Sequence, residues 1–501
     1  MRLKKILENL NGIKKIEGRT SLDIKGIVCD SKAVKSGYLF IAIKGSRFNG
    51  VDFVNEAIDR GAYAVMLGPE HKSIPTFKRG STFIYMSDAR LALSEVSRAF
   101  YGDISNRMQL IGVTGTNGKT TATYLLEGLF KAKGKEVGII GTVNYRFGNR
   151  LIPAVNTTPG VLDLYSLLSS MEKEAVKNCI LEVSSHSLEQ GRVETLRFDI
   201  AVFTNITNEH LDYHKNLENY LMSKMKLFTK IKLGGYAIIN NDDPCSERIA
   251  QEVKLNKKAK LITYGIEKKA DVCAKDIEFS FEGLRFKLCA GSVAEIDSRL
   301  IGRHNVYNIL ASAACGIAMG MSVEEITSGI EKVTSLPGRL ERIDCGQDFL
   351  AFVDYAHTEN GMENALKALR ELKPKRLLTV FGCGGDRDRA KRPKMGNISS
   401  ELSDKIFITS DNPRSEEPID IINEITKGIS NKKNNYVIEI DRFKAIRQVL
   451  EEARPGDIVL VAGKGHETYQ IFKNITLPFD DREVVKKILK EKRLCLRSEI
   501  S

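Results

Sequence analysis

The stretch Gly112 to Thr121, GVTGTNGKTT, sets three glycines, one lysine and four threonines directly behind the apolar run MQLI. That mixture suits one chemistry above others, the holding of phosphate. Glycines let backbone N–H groups close around phosphate oxygens, a lysine adds a point charge, and a threonine hydroxyl reaches a divalent cation. The run MQLI reads as a short buried strand, and TTATYLLEGLFKA behind the loop has the helical spacing of apolar residues. A strand–loop–helix context is the one a phosphate loop requires. The general signature Gly-x-x-x-x-Gly-Lys-Ser/Thr is met at Gly118, Lys119 and Thr120, but Val113 stands at its first position, with Gly112 and Gly115 on either side. The segment Gly115, Thr116, Asn117, Gly118, Lys119, Thr120 and Thr121 is therefore expected to bind a nucleotide, with Lys119 at the transferring phosphate.

Two further stretches carry groups that could work beside it. LEVSSHSLEQGRV (181–193) places Glu182 at the end of an apolar strand, and FTNITNEHLDYH (203–214) ends another strand in Asn208, Glu209 and His210. A carboxylate and an imidazole behind neighbouring strands, near bound triphosphate, suit Mg²⁺ or Mn²⁺. Taken alone, His210 reads equally well as a structural histidine. On the same sheet as a phosphate loop it reads as a ligand.

The elements that must position these groups follow from alternation. The first hundred residues hold GYLFIAIKG, a strand, and VDFVNEAIDRGAYAVML, a helix and a strand. From MQLIGVTG onward the strands EVGIIGT, NCILEVSS, DIAVFTNI and GYAIINNDD alternate with helical patterns, the mark of a mostly parallel sheet. A third set follows SLPGRLERI, with Pro337-Gly338 as a hinge: FLAFVDYA, RLLTVFG, KIFITSD and DIVLVAG. Its strands end in polar or glycine-rich loops, where open α/β sheets bind ligands. The expected class is α/β, in three units spanning 1–108, 109–336 and 337–501.

Composition narrows the setting. The 501 residues are 42% hydrophobic and 28% charged, as in soluble globular proteins. No run is long and apolar enough for a membrane span or a signal peptide, so a cytoplasmic, non-inserted protein is expected. Nine scattered cysteines form no C-x-x-C pair, which argues against a zinc site and suits a reducing compartment. The net charge of +12 is spread along stretches such as EVVKKILKEKR rather than clustered, so nucleic acid is not expected as a partner.

Nine motifs in order carry a resemblance: GVTGTNGKTT, NTTPG (156–160), EVSSHSLEQGRV, TNITNEHLDYH, GRHNVYN (302–308), LPGRLERI, VDYAHT (353–358), GCGGDRDRAKRP (382–393) and AGKGHE (462–467). Together they resemble the Mur ligase family, which builds the peptide stem of peptidoglycan, from about residue 28 to 475. The family's phosphate loop reads Gly-Thr-Asn-Gly-Lys-Thr, so Val113 is no departure from it. The resemblance implies a three-domain architecture with a central P-loop ATPase-like parallel sheet and a Rossmann-like C-terminal domain. It also implies an ATP-dependent amide ligase, expected as a monomer, that activates a carboxylate as acyl phosphate. Within the family the pattern is closest to members adding a third amino acid to UDP-N-acetylmuramoyl-L-alanyl-D-glutamate.

Site residues carry over position by position. The resemblance gives Mg²⁺ to Thr120 and Glu182, a second metal to His210, and a CO₂-derived carbamate to Lys224, with Lys226 as the other candidate. It brings Asn305 and Asn308 to adenine, and Arg339 and Asp354 to ribose and phosphates, with Tyr355 and His357 in the same loop. It gives Ser31 to uridine, although Lys32 stands where the family usually has arginine. Thr157, Thr158, Ser184, Gln190 and Arg192 would hold the pyrophosphate and peptide portion. Asp411-Asn412-Pro413-Arg414 resembles the signature of members that add meso-2,6-diaminopimelate. Arg414 can grip that substrate's distal carboxylate bidentately, with Arg387, Asn412, Gly463 and Glu467 around it. Without that context, DNPR is an ordinary proline turn and NVYN an ordinary helix start.

Three rival readings have distinct signatures. A lysine-adding member would leave the Arg414 guanidinium unpaired beside an ammonium. A folylpolyglutamate synthetase would lack the DNPR and GKGHE pair. A phosphate-loop regulator would hydrolyse ATP independently of any amino acid.

Overall fold

The computed structural model describes residues 1–8, 10–45, 48–69, 80–207, 209, 211–430 and 435–498. Three sheets succeed one another along the chain. The first has five strands in the order Ile13–Glu17, Thr82–Met86, Ala62–Leu67, Tyr38–Ala42 and Gly26–Val28, all parallel except the first pair.

The second sheet has eleven strands. Its parallel centre runs Ala259–Gly265, Ile231–Asn240, Phe198–Phe203, Gln109–Thr114, Asn178–Glu182 and Gly138–Ile140. Gln109–Thr114 lies near the middle with neighbours on both edges, which is why MQLIGV is apolar without alternation. Antiparallel hairpins extend this sheet on both sides. Asn144–Phe147 and Arg150–Pro153 form one flank; on the other, Val272–Ser280 joins parallel to Ala259–Gly265, and Gly283–Cys289 and Val293–Ser298 follow it antiparallel. The mostly parallel sheet read from the sequence is thus the centre of a wider mixed one. The added strands pack Phe286, Leu288 and Ile296 into the same core as Leu125 and Leu129 of the helix behind the phosphate loop.

The third sheet orders its six strands Glu341–Ile343, Leu350–Asp354, Ile458–Ala462, Leu377–Phe381, Lys405–Ile408 and Tyr436–Ile438. The last strand in sequence, Ile458–Ala462, inserts between the second and third in space. Connections behind Ile458–Ala462 and Leu377–Phe381 therefore leave in opposite directions, and the crevice at their carboxyl ends is where such sheets bind ligands. A hairpin, Tyr469–Phe472 with Ile475–Pro478, stands beside that crevice. Among the described residues no helix is long and apolar enough to cross a membrane.

Gly338, at the entry to the third sheet, has φ +62°, and a Cβ there would lie 2.2 Å from the His466 backbone nitrogen. Only glycine fits this approach of two loops. Gly338→Ala should destabilise the protein by about 1–3 kcal/mol, read as a lower urea midpoint. An unchanged midpoint would show that the loops part without cost.

Candidate active site

Three adjacent parallel strands end level with one another. Val113 pairs with Glu182 and Thr114 with Phe203, so the phosphate loop, the Glu182 carboxylate and the Thr204-Asn205 turn meet at one edge. The loop is clasped from the side: Thr204 Oγ1 donates to Asn117 O at 2.6 Å, and the Asn117 N–H donates to Asn205 Oδ1 at 3.0 Å. Helix Lys119–Ala132 then begins, capped by Gly118 in the left-handed region. A Cβ on Gly118 would lie 2.3 Å from Asn308 Oδ1, so glycine is needed for fit as well as for backbone angle.

Lys119 Nζ donates to the carbonyls of Gly115 and Thr116, each at 2.8 Å. Burial lowers its pKa, and the charges of Glu182 and Glu209 oppose that shift. Glu182 is 1% exposed. Its Oε2 accepts from Thr120 Oγ1 at 3.0 Å and Thr142 Oγ1 at 2.8 Å, while Oε1 accepts the Thr142 N–H at 3.1 Å. Thr157 Oγ1 lies 3.1 Å from Thr142 Oγ1. A buried carboxylate ringed by hydroxyls is an all-oxygen donor set, which fits a hard divalent cation. Among the described residues there is no group of three His, Cys, Asp or Glu placed to hold a metal. Asn208 and His210 lie outside the described residues.

The two candidate lysines separate clearly. Lys226 is exposed and pairs with Glu189 at 2.8 Å. Lys224, in helix Leu217–Met225, is 1% exposed, with Nζ 4.3 Å from the centre of the Tyr220 ring. Burial, joined by the Lys119 charge, brings its pKa well below the usual lysine value, against the pull of Glu209. A neutral amine is the form that can attack CO₂.

A cavity of about 480 Å³ opens beyond the loop and joins the second and third sheets. Asn305 and Asn308 line it from helix Arg303–Ala318, while Arg339, Asp354, Tyr355 and His357 line it from the third unit. Asn308 Nδ2 donates to Asn305 Oδ1 at 3.0 Å, and Asn305 Nδ2 to Ile301 O at 2.8 Å, so each amide also fixes the helix start. Arg339 sits 5.0 Å over the Tyr355 ring, with Nη2 3.5 Å from Thr120 Oγ1 and a buried Nε that has no hydrogen-bond partner among the described residues. Burial raises the Asp354 pKa, while Arg339 and the N–H groups of Leu340 and Ala356 lower it. His304, Tyr264, Tyr307 and Asn360 also line the wall, and the sequence reading gave them no role. Burial takes the His304 pKa down to about 4, so the ring is neutral. Asn360 Oδ1 accepts from Asn117 Nδ2 at 2.7 Å, a direct tie from the third unit to the phosphate loop.

Thr158, Ser184, Gln190 and Arg192 form one network beside Glu182. Thr158 Oγ1 donates to Glu182 O at 2.8 Å, Arg192 Nη1 to Thr158 O at 2.6 Å, and Arg192 Nη2 to Gln190 Oε1 at 2.7 Å. The Ser184 N–H donates to Thr158 Oγ1 at 3.1 Å. Ser31 stands apart, in the first unit, and donates to Glu56 Oε2 at 2.8 Å.

The remaining residues gather at the crevice of the third sheet. Asn412 is held on three sides. Its Oδ1 accepts from Lys464 Nζ at 3.2 Å and the Ile471 N–H at 3.0 Å, and its Nδ2 donates to Glu467 Oε2 at 2.9 Å. Arg414 has φ +52°, and its Nη1 donates to Gly385 O at 2.7 Å. Its backbone bonds to the hairpin through Ile471 O at 3.0 Å and the Lys473 N–H at 2.6 Å. A buried Arg392 holds Glu416 at 2.7 Å and Glu424 at 2.8 Å, bracing the same loop from behind. Arg387 is exposed, and its Cγ lies 3.7 Å from where a Gly384 Cβ would stand, with Arg414 Nη1 at 2.9 Å from that point. Burial raises the pKa of the Tyr469 hydroxyl, on which the charges of Glu467, Arg414, Asp411 and Arg387 all act. Gly463, with φ +114°, passes 2.9 Å from Asp411 Oδ2 measured at its would-be Cβ.

A nucleotide pocket joined across two sheets to a cluster of arginines and carboxylates is the layout of a ligase that activates one substrate and selects another. The sequence agrees: residues 23–101 match the Mur ligase family catalytic domain, 113–316 the Mur ligase middle domain, and 338–465 the Mur ligase glutamate ligase domain. The chain belongs to the Mur ligase family. It is 42% identical, over 97% of its length and 99% of the relative's, to the UDP-N-acetylmuramoyl-L-alanyl-D-glutamate–2,6-diaminopimelate ligase of Caldanaerobacter subterraneus. The enzyme of the same name from Geobacillus thermodenitrificans is also 42% identical, over 98% of this chain and all of that one. A solved structure bearing that name matches with a TM-score of 0.70 at 31% identity, covering 98% of this chain and 99% of the other.

Lys119→Ala should cut the rate at saturating ATP by ~10² or more, as removal of a group facing developing charge does. Turnover near that of the unaltered protein would remove this loop from the chemistry.

Proposed function

We propose that this chain joins meso-2,6-diaminopimelate to UDP-N-acetylmuramoyl-L-alanyl-D-glutamate, with ATP converted to ADP and phosphate, in the making of cytoplasmic peptidoglycan precursors. Residues 1–108 present the UDP portion, 109–336 hold ATP, and 337–501 select the amino acid. The protein acts as a monomer in the cytoplasm.

A carboxylate acylates an amine only after activation, so the first task is transfer of phosphoryl from ATP to the glutamate carboxylate. Lys119 and Arg339 supply positive charge where the transferring group gathers negative charge. Thr120 and Glu182 would hold Mg²⁺, which neutralises phosphate charge when bound. The Asn305–Asn308 pair and the neutral His304 ring suit an uncharged purine. The Thr158–Arg192–Gln190 network, next to Glu182, would orient the peptide carboxylate toward the phosphate. Lys224 would take up CO₂ on its neutral amine, losing one proton, and the resulting carbamate would supply a further anionic oxygen ligand for a divalent cation, which an ammonium could not.

The observation that carries the substrate assignment is the approach of Arg414 and Arg387 to one point beside Gly384, with Nη1 of the first 2.9 Å and Cγ of the second 3.7 Å from where a Cβ would stand, while Glu467 and both arginines act on the same Tyr469 hydroxyl. Diaminopimelate brings a distal ammonium and a distal carboxylate, and the cluster offers both signs. L-lysine lacks that carboxylate and would leave Arg414 without an anionic partner in a partly closed crevice.

Arg414→Ala tests this. Truncating one partner of a charge-assisted pair costs roughly 2–5 kcal/mol, so kcat/KM for diaminopimelate should fall ~30-fold or more. KM for ATP and for the UDP-linked dipeptide should change little, and unchanged diaminopimelate kinetics would refute the assignment. Lys224→Ala should lose ~10² or more in rate, together with the carbamate signal seen by NMR with isotopically labelled bicarbonate. Lys226→Ala should keep both, and the reverse pattern would move the role to Lys226.

A further inference from the structure

Arg442, the first residue of helix Arg442–Glu452, and Asp481, the first of Asp481–Ser498, form an ion pair with both side chains 0% exposed. Nε donates to Asp481 Oδ1 at 2.8 Å and Nη2 to Oδ2 at 2.7 Å. Nη2 also donates to Ala462 O at 2.9 Å, and Nη1 to Ser410 O at 3.4 Å. Buried ion pairs contribute little stability beyond what apolar replacements of similar volume provide, because both charges lose their water. Stability is therefore a poor account of this one. What no apolar pair could do is donate to those two carbonyls.

The carbonyls have a particular location. Ala462 ends strand Ile458–Ala462, and Ser410 follows strand Lys405–Ile408. These strands are not neighbours, since Leu377–Phe381 runs between them. No ladder hydrogen bond can set the distance between their ends. The next residues along each chain are Gly463-Lys464 and Asp411-Asn412, which open the two loops of the charge cluster. The negative charges of Asp411 and Glu467 also act on the Arg442 guanidinium.

We infer that Arg442, braced by Asp481, is a positioning residue for amino-acid selection: its guanidinium fixes the spacing of the 410–414 and 463–467 loops across the intervening strand. It touches no substrate. Asp481 holds the planar fork in the orientation that reaches both carbonyls, and through it the C-terminal helix stiffens the site. That helix packs Val485, Ile488 and Leu489 against Ala445, Ile446 and Val449 of the helix carrying Arg442, so the brace is rigid at both ends. This inference rests on the reading of the crevice as the diaminopimelate site.

The test is Arg442→Lys in the full chain, which keeps the charge and removes the fork. KM for diaminopimelate should rise ~10-fold or more, while KM for ATP and for the UDP-linked dipeptide stays within about twofold. ADP–ATP exchange driven by the dipeptide without amino acid, which needs only the first half-reaction, should match that of the unaltered protein. A parallel loss in all three KM values, or a lower melting temperature with unchanged kinetics, would overturn the inference. If Arg442→Lys does not fold, Asp481→Asn carries the same comparison, because it releases the brace while leaving both carbonyl bonds possible; equal KM values there would overturn it as well. Failure of the functional reading would look different, since the unaltered protein would then not consume diaminopimelate.

Discussion

The level ending of three parallel strands is the constraint on which the site depends. Because Glu182 pairs with Val113 and Phe203 with Thr114, a carboxylate, a phosphate loop and a polar turn arrive at one edge without any long loop having to carry them. The hydrogen bond from Thr120 to Glu182 then locks the first helical turn to the neighbouring strand. A slip of one residue in the pairing of Asn178–Glu182 with Gln109–Thr114 would turn Glu182 to the other face of the sheet and replace it with an apolar side chain. The close packing of Gly118 against Asn308 extends the same constraint to the helix that lines the far wall of the cavity.

From that edge, contact passes to the third sheet through few residues. Arg339 approaches Thr120, Asn117 bonds to Asn360, and Gly338 admits the backbone of residue 466 where a side chain would block it. The same segment, 338–357, thus lines the phosphate-loop cavity on one side and meets the 463–467 loop on the other. Tyr355 shows this most directly, since it lies under Arg339 and its hydroxyl donates to Glu467 Oε1 at 3.4 Å. In the proposed reaction the nucleotide and the incoming amino acid would be held on separate sheets, and this segment would bring them within reach of one carboxylate.

Much of this was legible in the sequence, for physical reasons. Strands buried on both faces read as unbroken apolar runs, and the polar loops behind them mark the ends where ligands bind. The antiparallel flanks at 144–153 and 272–298 escaped notice, although they carry part of the central core. The hairpin at 469–478 was equally quiet, because its turn is made by Lys473, with φ +52°, and Asn474 rather than by the Asn-Gly pair that marks tight hairpins. Yet this hairpin fixes the backbone of Arg414 and the amide of Asn412, through N–H and C=O groups that no side-chain pattern reveals. Buried charges were hidden for a related reason. Lys464 and Arg392 lie in motifs that were noticed without either residue being given a role, Arg442 and Asp481 drew no notice, and only the fold shows that each has partners in place of water.

The central claim is that the crevice of the third sheet selects an amino acid with a distal carboxylate, and that ATP is consumed only when this amino acid is joined. Amide formation and phosphate release should therefore be measured together, with the UDP-linked dipeptide and ATP held constant, across meso-diaminopimelate, L-lysine and L-ornithine. The account predicts product and stoichiometric phosphate with diaminopimelate, and little of either with the other two. Preference for L-lysine, or phosphate release indifferent to the amino acid supplied, would contradict it.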